Sequence, residues 1–223
     1  FFATITGCYN TGAVSGEISY VGGVCGCNSR GTITGCYTNN GGVCINEEGT
    51  ITGDCGEKSD NEFRDGTVCP LLNKALKKVN ASVRFYKGAN YPEFIINVPS
   101  LVGDVYQISN KEELYAFAQL VNKNVETSAN AVLTANITVN TDLFALIDED
   151  GSIKDGNTVE TWTPIGNNKI LYTGTFDGQG HTISGLYFKD SNTDYVGLFG
   201  YNKGTIKNVG VVDSYFYGKN YVG

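Results

Sequence analysis

The chain of 223 residues carries a formal net charge of -7 and an isoelectric point near 4.7, which excludes the basic patch that nucleic acid or an anionic membrane surface would need. No run approaches the roughly 18 apolar residues of a membrane span, and the first residues lack the basic-then-apolar pattern of a secretory signal. With 29 Gly, only 4 Pro and no Met, the composition points to an all-β repeat protein, and an opening at Phe1 in mid-pattern points to a processed piece or a fragment.

The first stretch spells one motif three times: Ala3-Thr4-Ile5-Thr6-Gly7-Cys8-Tyr9, Gly31-Thr32-Ile33-Thr34-Gly35-Cys36-Tyr37 and Gly49-Thr50-Ile51-Thr52-Gly53-Asp54-Cys55. Short Thr/Ile runs punctuated by Gly and Asn read as brief strands joined by tight corners, and so small a unit buries its inward face only by stacking on its neighbours. Spacings of 28 residues from Ile5 to Ile33 and 18 from Ile33 to Ile51 keep the strands while the corners vary. Stacking places Cys8, Cys36 and Cys55 in one inward column and Cys25 and Cys44 in another. A thiol is small, apolar and readily buried, so reduced core cysteines are the plain reading. Disulfides between adjacent units are the alternative, because strands about 4.8 Å apart fall within the permitted Cα separations. Without a CxxC pair, and with the single His181 far off in sequence, no metal site and no cofactor are expected.

From Gly56 to Arg64 the text turns charged and the repeat stops. Leu71, Leu72, Ala75, Leu76 and Val79 then recur at helical spacing within 67–80, with Pro70 early, which predicts an amphipathic helix near 70–79. Its apolar face would cover the last unit of the first segment, leaving Lys74, Lys77 and Lys78 to solvent. Ser82 to Gln107, broken by Tyr91-Pro92 and Val98-Pro99, reads as an irregular joint. Ser109-Asn110-Lys111-Glu112 has the form of a capping box, and Leu114, Phe117, Ala118 and Val121 predict a second capping helix at 111–122. The expected organisation is the end of one module at 1–66, a helix and joint at 67–106, and the start of a second module at 107–223.

Ala131-Val132-Leu133 and Ile137-Thr138-Val139 open the second repeat segment. Later in it, Ile183 matches Ile206 and Leu186 matches Val209 after 23 residues, and Tyr195-Val196-Gly197 matches Tyr221-Val222-Gly223 after 26. The inward positions are then Ile183, Leu186, Val196, Leu198, Ile206 and Val209. The expected fold is mainly β: right-handed parallel β-helix (solenoid) segments with two short amphipathic capping helices.

Thr163-Pro164-Ile165-Gly166, Tyr172-Thr173-Gly174-Thr175-Phe176-Asp177-Gly178, His181-Thr182-Ile183-Ser184-Gly185-Leu186, Val196-Gly197-Leu198-Phe199-Gly200 and Gly204-Thr205-Ile206-Lys207-Asn208-Val209 together resemble the GLUG-motif repeat family. The resemblance covers about 107–223 and, through the Gly-Thr-Ile-Thr-Gly-Cys-Tyr units, about 1–56. It implies an extracellular location, secreted or at the cell surface, in large bacterial surface proteins that include adhesin-like proteins and non-catalytic protease regions.

A polysaccharide-degrading β-helix enzyme would show clustered carboxylates. Asn140-Thr141-Asp142 and Asn192-Thr193-Asp194 echo one polygalacturonase motif, but the paired aspartates, Gly-His-Gly and Arg-Ile-Lys are absent, so the tripeptides read as turns and no enzyme is expected. The run 148–156 begins like a calcium loop without its spacing and reads as a solvated insertion. Asn80-Ala81-Ser82 and Asn136-Ile137-Thr138 have the form of glycosylation sequons. Tyr187, Tyr195, Tyr201, Tyr215 and Tyr217 are candidates for an outward platform for sugar rings, with alternation sending some of them inside. Phe1, Phe2, Tyr221 and Val222 would lie on exposed edges that further repeats of the chain or further copies of it, stacked into a filament, would cover. The expected function is a structural or adhesive module; its partners are copies of itself, adjoining repeats, glycans or a host surface.

Overall fold

A computed structural model describes residues 3–16, 22–46, 48–52 and 55–223, with the backbone alone for 44–46. The protein is mainly β and divides into two compact units, Phe1–Ile96 and Asn97–Gly223. The expected joint at 67–106 is therefore shared between them.

In the first unit, β1 (Thr4–Thr6), β4 (Thr32–Thr34) and β7 (Thr50–Thr52) form one parallel ladder in that order, with Ile5, Ile33 and Ile51 in register. A second ladder joins β2 (Tyr9–Asn10), β5 (Tyr37–Thr38) and β8 (Gly56–Glu57), and a third pairs β3 (Cys25–Asn28) with β6 (Cys44–Asn46). Threonine falls on threonine, and the Thr34 and Thr52 hydroxyls hydrogen-bond each other at 2.8 Å. Between the first two ladders Gly7 and Gly35 turn the chain at φ of +61° and +58°, a region that disfavours any Cβ.

Those glycines also seat a helix. After α1 (Asp60–Arg64), capped by Ser59 and Glu62, α2 (Val68–Lys78) lies with Leu76 against Gly7 and Ala75 against Gly35. The helix thus packs along the flank of two successive strands, and the expectation that it covers the last unit is corrected: Ile51 is 41% exposed. The reason is the clean fit of helix methyl groups into corners that lack side chains. Its other neighbour is the antiparallel hairpin of β9 (Val83–Lys87) and β10 (Pro92–Ile96). Tyr37, Phe63, Val68, Leu72 and Phe85 fill the space between. Buried Asn73 holds β9 by donating to the Phe85 carbonyl (2.8 Å) and accepting its amide (2.6 Å).

The second unit begins with β11 (Ser100–Val102) antiparallel to β12 (Val105–Ile108), which continues as parallel strands β13 (Asn130–Leu133), β15 (Thr175–Asp177) and β18 (Thr205–Lys207). Beside this ladder run β14 (Ile137–Thr138), β16 (Thr182–Ser184) and β19 (Gly210–Val212), then β17 (Tyr187–Lys189) with β20 (Tyr215–Tyr217). Helix α3 (Lys111–Asn122) has the expected bounds, but its cap is Asn110, whose side chain accepts the Glu113 amide at 2.9 Å. The Glu113 carboxylate reaches back to the Ser109 amide at 2.7 Å. Phe117 of α3 meets Tyr106, Tyr172 and Phe176 at ring separations of 5.9 to 6.1 Å.

The strand register corrects the sequence alignment of this unit. Ile206 stacks on Phe176 and Val211 on Ile183, so the match of Ile183 to Ile206 joins different ladders. The match of Val196 to Val222 is a true bridge between parallel segments. Ile183, Leu186, Val196 and Leu198 are buried as expected, whereas Ile206 is 36% exposed and Val209 is half-buried. Strand β18 has a neighbour on one side only, which leaves one face of the Ile206 side chain open.

Candidate functional site

Two groups of candidate residues come together in space, one in each unit. In the first unit Cys8, Cys36 and Cys55 stand directly before the in-register residues Tyr9, Tyr37 and Gly56. The Cys8 amide donates to Cys36 Sγ at 3.5 Å, and the Cys36 amide donates to Cys55 Sγ at 3.3 Å. The sulfurs of Cys36 and Cys55 therefore each lean toward the cysteine one strand earlier. All three are free thiols packed with Ile5, Ile33 and Val43; Cys36 is fully buried and the outer two are half-buried. The thiol of Cys36 hydrogen-bonds Cys8, which holds the Cys8 pKa below its usual value and, together with burial, pushes that of Cys36 up. Cys25 and Cys44 are likewise register partners of adjacent strands.

In the second unit Tyr187 and Tyr215 form one group, Tyr195 and Tyr201 join Tyr221 in another, and Tyr217 stands outside both. Tyr187 is buried in the core, its hydroxyl donating to the Gly151 carbonyl at 2.7 Å, and its ring stacks on Tyr215 at 5.9 Å and 23°. Tyr215 in turn donates to the Asp150 carbonyl at 2.8 Å. Both tyrosines thus serve the 148–156 loop; Tyr187, being buried, is removed from the expected outward platform, while Tyr215 is half-buried. The remaining aromatic surface is a stack: Tyr221 lies parallel to Tyr195, with centroids 4.7 Å apart and planes at 4°, and Tyr201 tilts against Tyr195 at 5.4 Å. Tyr195 and Tyr221 share left-handed backbone angles, φ +63° and +54°, so the same turn presents both rings one strand apart. Tyr221 is 71% exposed, and Tyr217 and Val222 are exposed too. Phe1 and Phe2 lie outside the described residues.

The 148–156 insertion is a pinned loop. Its Asp150 carboxylate accepts the Ser152 amide and hydroxyl, both at 2.9 Å, which holds its pKa below the ordinary carboxylate value; Lys189 adds an ion pair at 3.4 Å. Beside the loop the short helix α4 (Leu143–Leu146) exposes Phe144 between two hollows of about 580 and 400 Å³. The larger is lined by Asp142, Asp213, Thr138 and Ser184, the smaller by Asp148, Glu149 and Lys154. Among the described residues no three His, Cys, Asp or Glu side chains stand as a metal-binding group.

Sequence reasoning missed α1, α4 and the tyrosine pins. The capping box Ser59-Asp60-Asn61-Glu62 was a signal for α1; nothing in the local text marks a tyrosine hydroxyl as the partner of a carbonyl 36 or 65 residues away.

These features define a mainly β protein built from in-register parallel ladders. No family model matches the chain, and no solved structure matches it. Over 120 residues it is 33% identical to halomucin from Haloquadratum walsbyi, a stretch that covers 53% of this chain and 1% of halomucin. The chain thus spans about 1% of the length of that curated relative. Among the described residues no helix is long and apolar enough to cross a membrane.

Proposed function

We propose that the chain is a non-catalytic structural and adhesive module of an extracellular bacterial surface protein, built of right-handed parallel β-helix and related to the GLUG-motif repeats. The observation that supports this most is the like-on-like register of the ladders: Thr-Ile-Thr on Thr-Ile-Thr twice over, and Tyr187, Phe188 on Tyr215, Phe216. Such ladders extend by adding further passes of chain, which suits a protein whose work is reach and display. Similarity to a short stretch of a much longer protein is in keeping with that reading. Its partners are adjoining repeats, further copies of itself and surface glycans. An antibody raised against the chain should label intact cells of its source; label that appears only after permeabilisation would overturn the extracellular assignment.

A second reading, a carbohydrate-binding adhesin, is favoured by the Tyr195 and Tyr221 stack, whose outer ring, Tyr221, is exposed, since a pyranose packs on a bare aromatic face. Saturable binding to a glycan array, lost in Tyr221→Ala, is the expected result. Binding unchanged by Tyr221→Ala would remove the stack from that role.

A further inference from the structure

We propose that Cys8, Cys36 and Cys55 form a modification site that takes a single disulfide, made by a small-molecule disulfide and always including Cys36. The in-register strands place each cysteine one strand spacing, about 4.8 Å, from the next. That lies within the roughly 4.4–6.8 Å Cα separation a disulfide requires, whereas Cys8 and Cys55, two strands apart, exceed it. Ladder hydrogen bonds fix the spacing, with the Cys8 carbonyl accepting the Tyr37 amide at 2.9 Å and the Cys36 carbonyl accepting the Gly56 amide at 3.1 Å. Cys36 Sγ sits against the Cys8 amide and Cys55 Sγ against the Cys36 amide, so Cys36 is the one member in contact with both others. Two links are possible, and each excludes the other because they share Cys36.

Exposure sets the order of events. Cys36 has no exposed surface, while Cys8 and Cys55 are open in part, so the reagent meets an outer thiol first. The outer thiolate attacks one sulfur of RS–SR, forming a mixed disulfide and releasing RSH, which carries away the proton. The Cys36 thiolate then attacks the outer cysteine sulfur of that mixed disulfide; the new protein S–S bond forms, and the second R–S leaves and takes up the Cys36 proton. Two protein thiols are oxidised and the reagent is reduced to two RSH. The link can then move: the Cys55 thiolate attacks Cys36 Sγ, the Cys8–Cys36 bond breaks, and the proton passes from Cys55 to Cys8.

The test is peptide mass spectrometry after the folded chain has been treated with hydroxyethyl disulfide and its remaining thiols alkylated. The wild type should contain the 8–36 and 36–55 links, summing to at most one per chain. Cys8→Ser should show only 36–55 and Cys55→Ser only 8–36. Cys36→Ala should leave Cys8 and Cys55 unlinked. The same chain in denaturant supplies the reference in which distance no longer selects partners, so folded wild type suffices should Cys36→Ala fail to fold. An 8–55 link in the folded wild type at the denatured proportion overturns the proposal. So does a link from the column to Cys25, which packs in the same cluster, or the absence of any link within the column.

Discussion

Gly35 and Ala75 touch so closely that a Cβ added to Gly35 would lie 2.2 Å from the Ala75 Cβ. A corner of the strand stack and the middle of a helix therefore depend on one missing methyl group. Gly35→Ala should cost about 2–4 kcal/mol, combining left-handed strain with displacement of α2. Gly42→Ala, also at positive φ but facing open space, should cost only about 1 kcal/mol. Urea unfolding of both variants measures the difference; equal losses would mean that α2 does not rest on this corner.

Phe117 is fully buried among three aromatic rings. Truncation to Ala should destabilise by about 3–5 kcal/mol. Phe144→Ala, at a side chain 56% exposed, should change stability by less than about 0.5 kcal/mol. Comparable thermal shifts for the two would contradict the burial of α3.

Tyr187→Phe keeps the ring stack and removes the hydroxyl that donates to Gly151. A cost of about 1–2 kcal/mol is expected, because the Gly151 carbonyl loses its buried donor. Limited proteolysis should then cut preferentially within 148–156. Cleavage of the variant at wild-type rate would show that the loop is held by other contacts.

Burial raises the Cys69 pKa from 9.0 to about 11. The folded state thus holds its proton more tightly than the unfolded state, and the associated stability is complete below pH 9 and lost as pH rises toward 11. The expected slope approaches 1.4 kcal/mol per pH unit at most. Cys69→Ala should flatten the loss between pH 9 and 10, before the tyrosines titrate. The same slope in both chains would place the titration elsewhere.

Period and punctuation made the strands readable. Thr-Ile-Thr-Gly-Cys recurs with its corner glycine, so the column of Ile5, Ile33 and Ile51 and the column of cysteines follow from text alone, since like residues on a pleated ladder fall in register. The helix at 111–122 was equally plain, because its apolar spacing is local. The candidate site was legible only in part. The sequence names the tyrosines, but whether a ring faces in or out is fixed by which partner carbonyl its hydroxyl finds.

Local text determined the strand runs, their corners, the helices of regular spacing and the cysteine column, all consequences of neighbours within a few residues or of one repeated motif. Only the tertiary structure decided that Ile183 stacks on Val211 and not on Ile206, because two strands of one pass carry similar words and backbone hydrogen bonds choose between them. It also set α2 on the flank of the ladders, where Gly7 and Gly35 leave room for Leu76 and Ala75. And it drew Tyr187 and Tyr215 to the carbonyls of the 148–156 loop, Tyr187 because its buried hydroxyl must find an acceptor wherever the fold brings one.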